Sequence, residues 1–235
     1  MGRVRIVGEL DCYIVNRHEI GKMKNMKTLL TALLLTLAAP VAAQDVAGEF
    51  DYYVMSLSWS PNWCDLEGRS RNSPQCEPGA DYGWVLHGLW PQFDQGYPQN
   101  CRTTFAPPSR RETSAMADIM GTGGLAWYQW NKHGSCSGLS PQAYFRTARN
   151  AYESVRIPHA FAKLTRDVTL PARLIEEAFL DANTDLTADG VTITCAAGAI
   201  QETRICLTKD LQPRECGDDI QRDCTLQSAA FGAID

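Results

Sequence analysis

Histidine is the residue of this sequence best suited to move protons, because its ordinary pKa, about 6.5, lies close to cellular pH. The chain after residue 43 contains three histidines, His87, His133 and His159. Two histidines that face one scissile bond can act together as base and acid, with no metal ion. A single histidine in a strand or helix is more often structural. The neighbours of each histidine therefore decide which ones are candidates for catalysis.

His133 lies in the segment WYQWNKHG, 127–134. If this segment is helical, residues four apart share a face, so Gln129 lies above His133 and Tyr128 above Lys132. Such a patch combines hydrogen-bonding groups, a fixed positive charge and a titratable ring. That combination suits a reaction in which a phosphate gains negative charge in the transition state. The alternative is a solvated helix face of mixed polarity, and this segment alone favours the alternative.

His87 lies in the apolar segment GWVLHGLW, 83–90, which a Pro-Gln pair follows. Gly88 would let a ligand or a second backbone approach closely. Trp90 offers a stacking surface for a nucleobase, worth about 1–3 kcal/mol per base. The alternative is a core tryptophan beside a structurally satisfied histidine, which would be preferred if the segment stood alone.

Taken together, the two segments resemble the ribonuclease T2 family. HGLWPQ (87–92) is similar to the first catalytic segment of that family, and WNKHGSC (130–136) is similar to the second. YVMSLSWSPNWC (53–64) is similar to its opening strand and RICLTKDLQPREC (204–216) to its closing strand. Matches of six or seven residues that carry His, Trp and Lys in a fixed context are much more specific than a loose motif.

The resemblance implies an endoribonuclease that cleaves single-stranded RNA by transphosphorylation. In this reaction the ribose 2′-OH attacks the adjacent phosphorus, a 5′-OH end leaves and a 2′,3′-cyclic phosphate forms, which water can open to a 3′-phosphate. DNA has no 2′-OH and is excluded as a substrate. The resemblance makes His133 the base, His87 the acid and Lys132 the residue that stabilises the charge on phosphorus. Trp90 and Gln92 would bind the base.

Two positions depart from the family's pattern, which usually has His-Glu where this sequence has Tyr128-Gln129. We include Gln129 in the catalytic set because it can still hydrogen-bond, although it cannot carry charge or exchange a proton. We include Tyr128 among the substrate-binding residues because its hydroxyl can donate to phosphate. A carboxylate at 129 would raise the pKa of a neighbouring imidazolium. We therefore expect His133 to lose its proton more easily, and the enzyme to be slower, with an altered pH optimum.

Nine cysteines are present, Cys12 and eight that follow residue 43. An even set behind an export signal is typical of a disulfide framework, and eight cysteines allow 105 pairings. Zinc sites are the alternative, but the sequence has no CxxC pair, and no further ligands accompany His133 and Cys136. We predict no metal and no cofactor. The resemblance implies four pairs: Cys64–Cys76, Cys101–Cys136, Cys195–Cys224 and Cys206–Cys216.

Residues 1–43 have the layout of a secretory leader. An apolar run, LLTALLLTLAA (29–39), follows basic residues and precedes the small residues Val41-Ala42-Ala43. This run is shorter than the about 20 apolar residues that a membrane span needs, so a cleaved signal is favoured. We expect translation to start at Met23 or Met26, and a periplasmic or secreted product with no stable membrane association.

The remaining residues, 44–235, suit one domain with a sizeable core. Removal of the leader would change the formal net charge from −5 to −8. Proteins that bind duplex nucleic acids by the backbone are usually strongly basic, so affinity for RNA must come from a local site. No segment indicates oligomerisation, and we expect a monomer.

Strands at both ends of this domain, with helices between them, predict an α+β fold on a central antiparallel sheet flanked by helices. Apolar and β-branched composition predicts four strands: Phe50–Trp59, Gly83–Trp90, Val191–Cys195 and Ala199–Leu207. Helical spacing predicts three helices: Leu125–His133, Gln142–Arg156 and Pro171–Asp181. Two polar connections complete the prediction: Asp65–Asp81 and Gln92–Arg111.

Two other functions remain open at this point. One is a nuclease-like protein that has lost activity and only binds RNA, which the Tyr128-Gln129 departure favours. The other is a disulfide-rich exported module that binds a protein or a glycan, which would leave the two histidine segments unexplained. Metal-dependent hydrolysis is disfavoured because the sequence has no carboxylate cluster with ligand spacing.

Overall fold

The computed structural model describes residues 45–162 and 164–234. The predicted leader, its cleavage site and the two alternative start methionines lie outside the described residues.

A six-stranded sheet forms the centre of the fold. Its strands are β1 (Tyr52–Trp59), β2 (Trp84–Gln92), β3 (Val168–Leu170), β4 (Val191–Ala196), β5 (Ala199–Leu207) and β6 (Ala229–Phe231). The order is β2-β1-β5-β6-β3, and β4 also pairs with β5. All pairs are antiparallel except β5 with β6, which meet in parallel at Ala199 and Ala230. The four predicted strands are present, and the sequence prediction missed β3 and β6, which have only three residues each.

Six α-helices accompany the sheet in the described residues. They are α1 (Ser60–Trp63), α2 (Arg110–Ser114), α3 (Ala117–Met120), α4 (Gly123–Lys132), α5 (Pro141–Ser154) and α6 (Arg173–Ala182). Polar caps fix where two of them begin: the Thr122 hydroxyl accepts from the Leu125 amide, and the Ser140 hydroxyl accepts from the Ala143 amide. The predicted α+β class is therefore confirmed.

Several local predictions need correction. Pro171 precedes α6 and does not lie in its first turn, because Ala172 is the N-cap. The predicted loop 65–81 contains a π-helical turn, Cys64–Gly68, and a short 3₁₀ turn, Pro74–Cys76. The predicted connection 92–111 already includes the start of α2.

Gly134 is not the left-handed residue that commonly follows a helix. The chain continues from α4 into a 3₁₀ turn, Gly134–Ser137, and the left-handed residue is Gly138, with φ of 74°. Gly134 is required for another reason. A Cβ at this position would lie 2.7 Å from the Trp130 ring and 2.8 Å from the Tyr144 ring. Both rings are in the core, so this glycine lets the end of α4 approach α5.

The two faces of the sheet have different surroundings. Alternate residues of β1, such as Met55 and Leu57, belong to the main core together with residues of α5 and α6. On the opposite face, Tyr52 and Val54 of β1 belong to a smaller cluster against which Trp90 packs. Further along β1, the alternate residues on this second face are polar. The candidate site lies on that polar part of the face.

A β-bulge interrupts the pairing of β1 with β2 at His87. Ser56 pairs with Gly88 and Leu57 pairs with Leu86, so His87 has no partner across the ladder. Trp84 and Leu86 belong to the main core, as the two-residue alternation of a strand requires. Bulges are frequent next to active sites because they change the direction of a side chain.

Four disulfides are present in the described residues, and they form the same pairs that the family resemblance implied: Cys64–Cys76, Cys101–Cys136, Cys195–Cys224 and Cys206–Cys216. Cys101–Cys136 joins the connection after β2 to the turn that follows α4. A second contact supports this junction, because the Asn100 amide donates to the Lys132 carbonyl at 2.8 Å. Among residues 45–162 and 164–234, none of the helices has the length and apolar character needed to cross a membrane.

Candidate active site

His87 contacts a buried carboxylate. Its Nδ1 lies 2.6 Å from Oε1 of Glu202, which is on β5. The His87 side chain is 34% exposed, whereas the Glu202 side chain is 5% exposed. The Nδ1 edge of the ring is therefore held inside the protein, and the ring also has access to solvent.

The second oxygen of Glu202 is bound by a guanidinium. Arg204 donates to Oε2 through Nε at 3.0 Å and through Nη2 at 2.8 Å. Burial alone would raise the pKa of Glu202, but the hydrogen bond and charge of His87 and the charge of Arg204 outweigh burial and lower this pKa to about 2. Glu202 is therefore a carboxylate at cellular pH.

Trp90 contacts both of the histidines predicted to be catalytic. Its ring centroid is 5.2 Å from that of His87, edge to face, and 5.3 Å from that of His133, nearly stacked. The indole Nε1 donates to Oε1 of Gln129 at 2.7 Å. A Cβ at Gly88 would lie 2.4 Å from both of these hydrogen-bonded atoms, so residue 88 must be glycine for this contact to form. Gln129 therefore holds Trp90 in place.

His133 follows the last residue of α4, and its amide donates to the Gln129 carbonyl at 2.9 Å. The residue is 5% exposed. Its Nδ1 is buried, and no hydrogen-bond partner for it exists in the described part of the chain. Burial, followed by the charges of Lys132 and His87, lowers the pKa of His133 to about 3. His133 is therefore neutral at cellular pH.

Lys132 and Tyr97 complete this side of the site. The Lys132 Nζ lies 5.9 Å from the centre of the Tyr97 ring, and that ring lies 5.8 Å from the His133 ring. Tyr97 is 45% exposed, so it forms part of the outer surface of the site. The site thus groups one neutral histidine and one cation around the exposed aromatic ring of Tyr97.

The other two predicted substrate-binding residues have different surroundings. Tyr128 is exposed on α4. Gln92 is buried at the end of β2, and its Oε1 has no hydrogen-bond partner among residues 45–162 and 164–234. In the same described residues, no group of three or more His, Cys, Asp or Glu side chains has the arrangement of a metal site.

The sequence model of one family, described as the ribonuclease T2 family, matches residues 50–216. This match covers more than half of the chain and includes His87, Lys132, His133 and Glu202. The chain belongs to the ribonuclease T2 family.

Several curated relatives of this T2 chain are ribonucleases by name. A ribonuclease of Aeromonas hydrophila is 40% identical over 127 residues, which cover 54% of this chain and 56% of that protein. Ribonuclease I of Escherichia coli strain K12 is 28% identical over 200 residues, which cover 67% of this chain and 74% of that protein. The chain spans about half the length of some relatives, with 49% of a probable Haemophilus influenzae ribonuclease matched.

Solved structures of T2-like proteins share the fold. An RNase-related protein from Calystegia sepium matches with a TM-score of 0.65 at 22% identity, over 80% of this chain and 99% of that one. RNase NT, solved in complex with 5′-AMP, matches with a TM-score of 0.59 at 21% identity, over 79% of this chain and 99% of that one. At these identities the likeness establishes the fold alone.

Within this T2 fold, the sequence prediction missed three residues of the site: Glu202, Arg204 and Tyr97. Glu202 and Arg204 lie two apart on β5, so alternation places them on one face of the strand. That pattern was a usable signal, since charged residues are rarely buried unless they are paired. No pattern in the sequence connects Tyr97 to the site, because it lies in an irregular connection.

Proposed function

We propose that this T2-family chain is an endoribonuclease that cleaves single-stranded RNA by two-histidine transphosphorylation, without a metal ion or other cofactor. The observation that carries the proposal is the contact of the Trp90 ring with both His87 and His133, with ring centroids 5.2 and 5.3 Å away. A phosphodiester bound beside this indole would lie near both imidazole rings. The names of the relatives support ribonuclease activity in the family.

In the proposed first step, the neutral His133 accepts the proton of the ribose 2′-OH. The 2′-oxygen then forms a bond to the adjacent phosphorus. The lowered pKa of His133 supports this role, because a base must be unprotonated before it acts. Its Nδ1 is enclosed, which leaves Nε2 as the nitrogen available to substrate.

The bond from phosphorus to the 5′-oxygen breaks in the same step. Protonated His87 gives its proton to that oxygen, and the products are a 2′,3′-cyclic phosphate and a 5′-OH end. Lys132, next to His133 in sequence, would stabilise the additional negative charge on the phosphoryl oxygens. After the step His133 is protonated and His87 is neutral, and hydrolysis of the cyclic ester by the reverse proton transfers would restore both.

We assign the binding of the RNA base to Trp90, with Tyr128 and Gln92 as further contacts. RNase NT, which shares this fold, was solved in complex with 5′-AMP, and that complex is consistent with nucleotide binding by proteins of this fold. The acidic net charge of −5 means that RNA must be bound by a local site. We further propose that the protein acts as a monomer and does not cleave DNA.

We also propose that the protein is exported, to the periplasm or beyond, after removal of residues 1–43. The four disulfides support this proposal, because disulfides persist in oxidising compartments and are rare in the cytosol.

A T2-fold protein that binds RNA without cutting it is the second candidate. The observation that favours it is Gln129, which holds Trp90 but cannot exchange a proton. A direct comparison of cleavage with binding separates this candidate from the first.

The test uses oxidised protein, a fluorescent RNA of about ten nucleotides and excess EDTA, across pH 4 to 8. We expect the wild type to cleave, and His87→Ala and His133→Ala each to lose at least about a hundredfold in rate, since general acid or base catalysis contributes about 10²–10⁴. His159→Ala is the matched control, because His159 is exposed and outside the site. Retention of uncut RNA by the wild type would support the second candidate. Cleavage that occurs only in a parallel reaction without EDTA would contradict the metal-independent mechanism.

A further inference from the structure

The pair of charged residues on β5 has a consequence for the acid step. We propose that Glu202 is a positioning residue that orients His87 through Nδ1 and stabilises its protonated form, so that Nε2 faces the leaving 5′-oxygen. This inference rests on the proposed function and deepens it, because it names the residue that prepares the acid.

Geometry is the first support. Glu202 Oε1 lies 2.6 Å from Nδ1 of His87, and Arg204 donates twice to Oε2. With both oxygens bound and the side chain 5% exposed, the carboxylate has one orientation available. The imidazole is at a bulge, where the ladder of the sheet does not fix its direction. Glu202 therefore supplies the constraint that the strand pairing lacks.

The charges around His87 are the second support. Glu202 and Arg204 approach from β5, Trp90 lies on β2 itself, and His133 approaches from the end of α4. Only Glu202 is negative among these groups. Because position 129 is Gln, the carboxylate that touches a histidine of this site comes from β5 and not from α4. The ion pair exists only while His87 is protonated, which is the state that a general acid requires.

Arg204 links this pair to the surface on which a base would stack. Its guanidinium carbon lies 5.5 Å from the centre of the Trp90 ring. The same arginine thus contacts the indole and holds Glu202. Loss of the Glu202 charge would act first on His87, and this effect would change kcat. A second effect, through Arg204 on the Trp90 surface, would change KM.

In the chemical step, the hydrogen on Nδ1 of His87 stays in the hydrogen bond to Glu202. The proton on Nε2 moves to the 5′-oxygen as the bond from phosphorus to that oxygen breaks. No proton passes to Glu202, which remains a carboxylate throughout. Glu202 orients the His87 ring and places a negative charge beside it. Both effects are needed only when the leaving group requires a proton.

Two substrates whose leaving groups differ in their need for a proton distinguish a positioning role of Glu202 from a structural one. Glu202→Gln keeps the size of the side chain and removes its charge. We measure kcat and KM for a dinucleotide such as UpA, whose 5′-oxygen leaves as an alcohol and needs the acid. We then measure the same constants for uridine 3′-(4-nitrophenyl phosphate), whose phenolate leaves without a proton.

We expect Glu202→Gln to lower kcat for UpA by about 10- to 100-fold, a part of the usual effect of general acid catalysis. We expect a loss of less than about threefold for the nitrophenyl ester. The basic limb of the UpA pH profile should move to lower pH, because loss of the negative charge disfavours the imidazolium. Glu177→Gln is the matched control, since it removes an exposed carboxylate that is paired with Arg173 on α6.

Equal losses on the two substrates, or an unmoved basic limb, would show that Glu202 is merely structural. The titration of the His87 ring signals by NMR separates this inference from the proposed function. If the wild type cleaves neither substrate, the proposed function fails. A titration midpoint that moves to lower pH in Glu202→Gln would still support the contact, and an unchanged midpoint would overturn it.

Discussion

At the scale of single residues, the two histidines have opposite surroundings. His133 is enclosed and close to Lys132, and both effects keep its ring neutral. His87 is partly exposed and pairs with the carboxylate of Glu202. Enzymes assign acid and base roles by giving two titratable groups different environments. This difference supports His133 as the base and His87 as the acid, which is the assignment that the sequence resemblance implied.

The variant Gln129→Glu tests the proposed role of His133 as the base. A carboxylate four residues before His133 would raise the pKa of His133 from about 3, since an opposite charge favours the imidazolium. The acid limb of the cleavage profile should therefore move to higher pH. Between pH 6 and 8 the base stays neutral but becomes stronger, and the rate should rise by up to about tenfold.

The control for this variant is Gln142→Glu, which makes the same chemical change at an exposed position of α5. Rates are measured for both variants from pH 4 to 8. If Gln129→Glu lowers the rate over this whole range, the interpretation of Gln129 as the cause of a slower enzyme is wrong.

The residues of the site differed in how well the sequence revealed them. His87, His133 and Lys132 lie in two specific motifs. The structure brings both histidine rings against Trp90, and the Lys132 side chain lies near Tyr97, which contacts His133. The contact between Gln129 and Trp90 was not predictable, because the two residues are 39 apart in sequence and the contact requires a glycine at position 88. Glu202 was also missed, since strand alternation indicates a face but not the partner across 115 residues of sequence.

At the scale of elements, a bulge and a turn position the two histidines. The bulge of β2 places His87 beside β5, and the turn after α4 carries Cys136 three residues after His133. The sequence predicted β1, β2, α4 and α5 because their apolar spacing is regular over eight or more residues. It missed β3 and β6, since three residues are too few to show a period.

The Cys101–Cys136 disulfide should support activity as well as stability. A Cys101→Ser, Cys136→Ser double variant is expected to lose about 2–5 kcal/mol of unfolding free energy. It should also lose cleavage activity at temperatures where it is still folded, because His133 is three residues from the removed bond. Denaturant unfolding and rates per folded molecule measure the two effects.

The matched control is Cys64→Ser with Cys76→Ser, which removes a bridge that closes a shorter loop, 12 residues against 35. We expect the control to lose stability and to keep its rate per folded molecule. The same rate in both double variants would contradict a positioning role for the Cys101–Cys136 bridge.

At the scale of the whole molecule, the fold and the negative net charge indicate that RNA is bound at a local site and not by the protein surface in general. The net charge of −5 gives little general attraction for a polyanion. Recognition of RNA must then depend on the groups around Trp90 and on the 2′-OH that the mechanism consumes. The central claim is that this hydroxyl is the nucleophile.

Cleavage of a DNA oligonucleotide that contains a single ribonucleotide tests this claim most directly. Four such oligonucleotides, one for each base, are treated with the oxidised protein in EDTA beside an all-DNA control, and the ends are identified by mass spectrometry. We predict one cut, immediately 3′ of the ribonucleotide, with a 2′,3′-cyclic phosphate or its 3′-phosphate and a 5′-OH end. A cut in the all-DNA strand, or a 5′-phosphate end at the ribonucleotide, would contradict the mechanism.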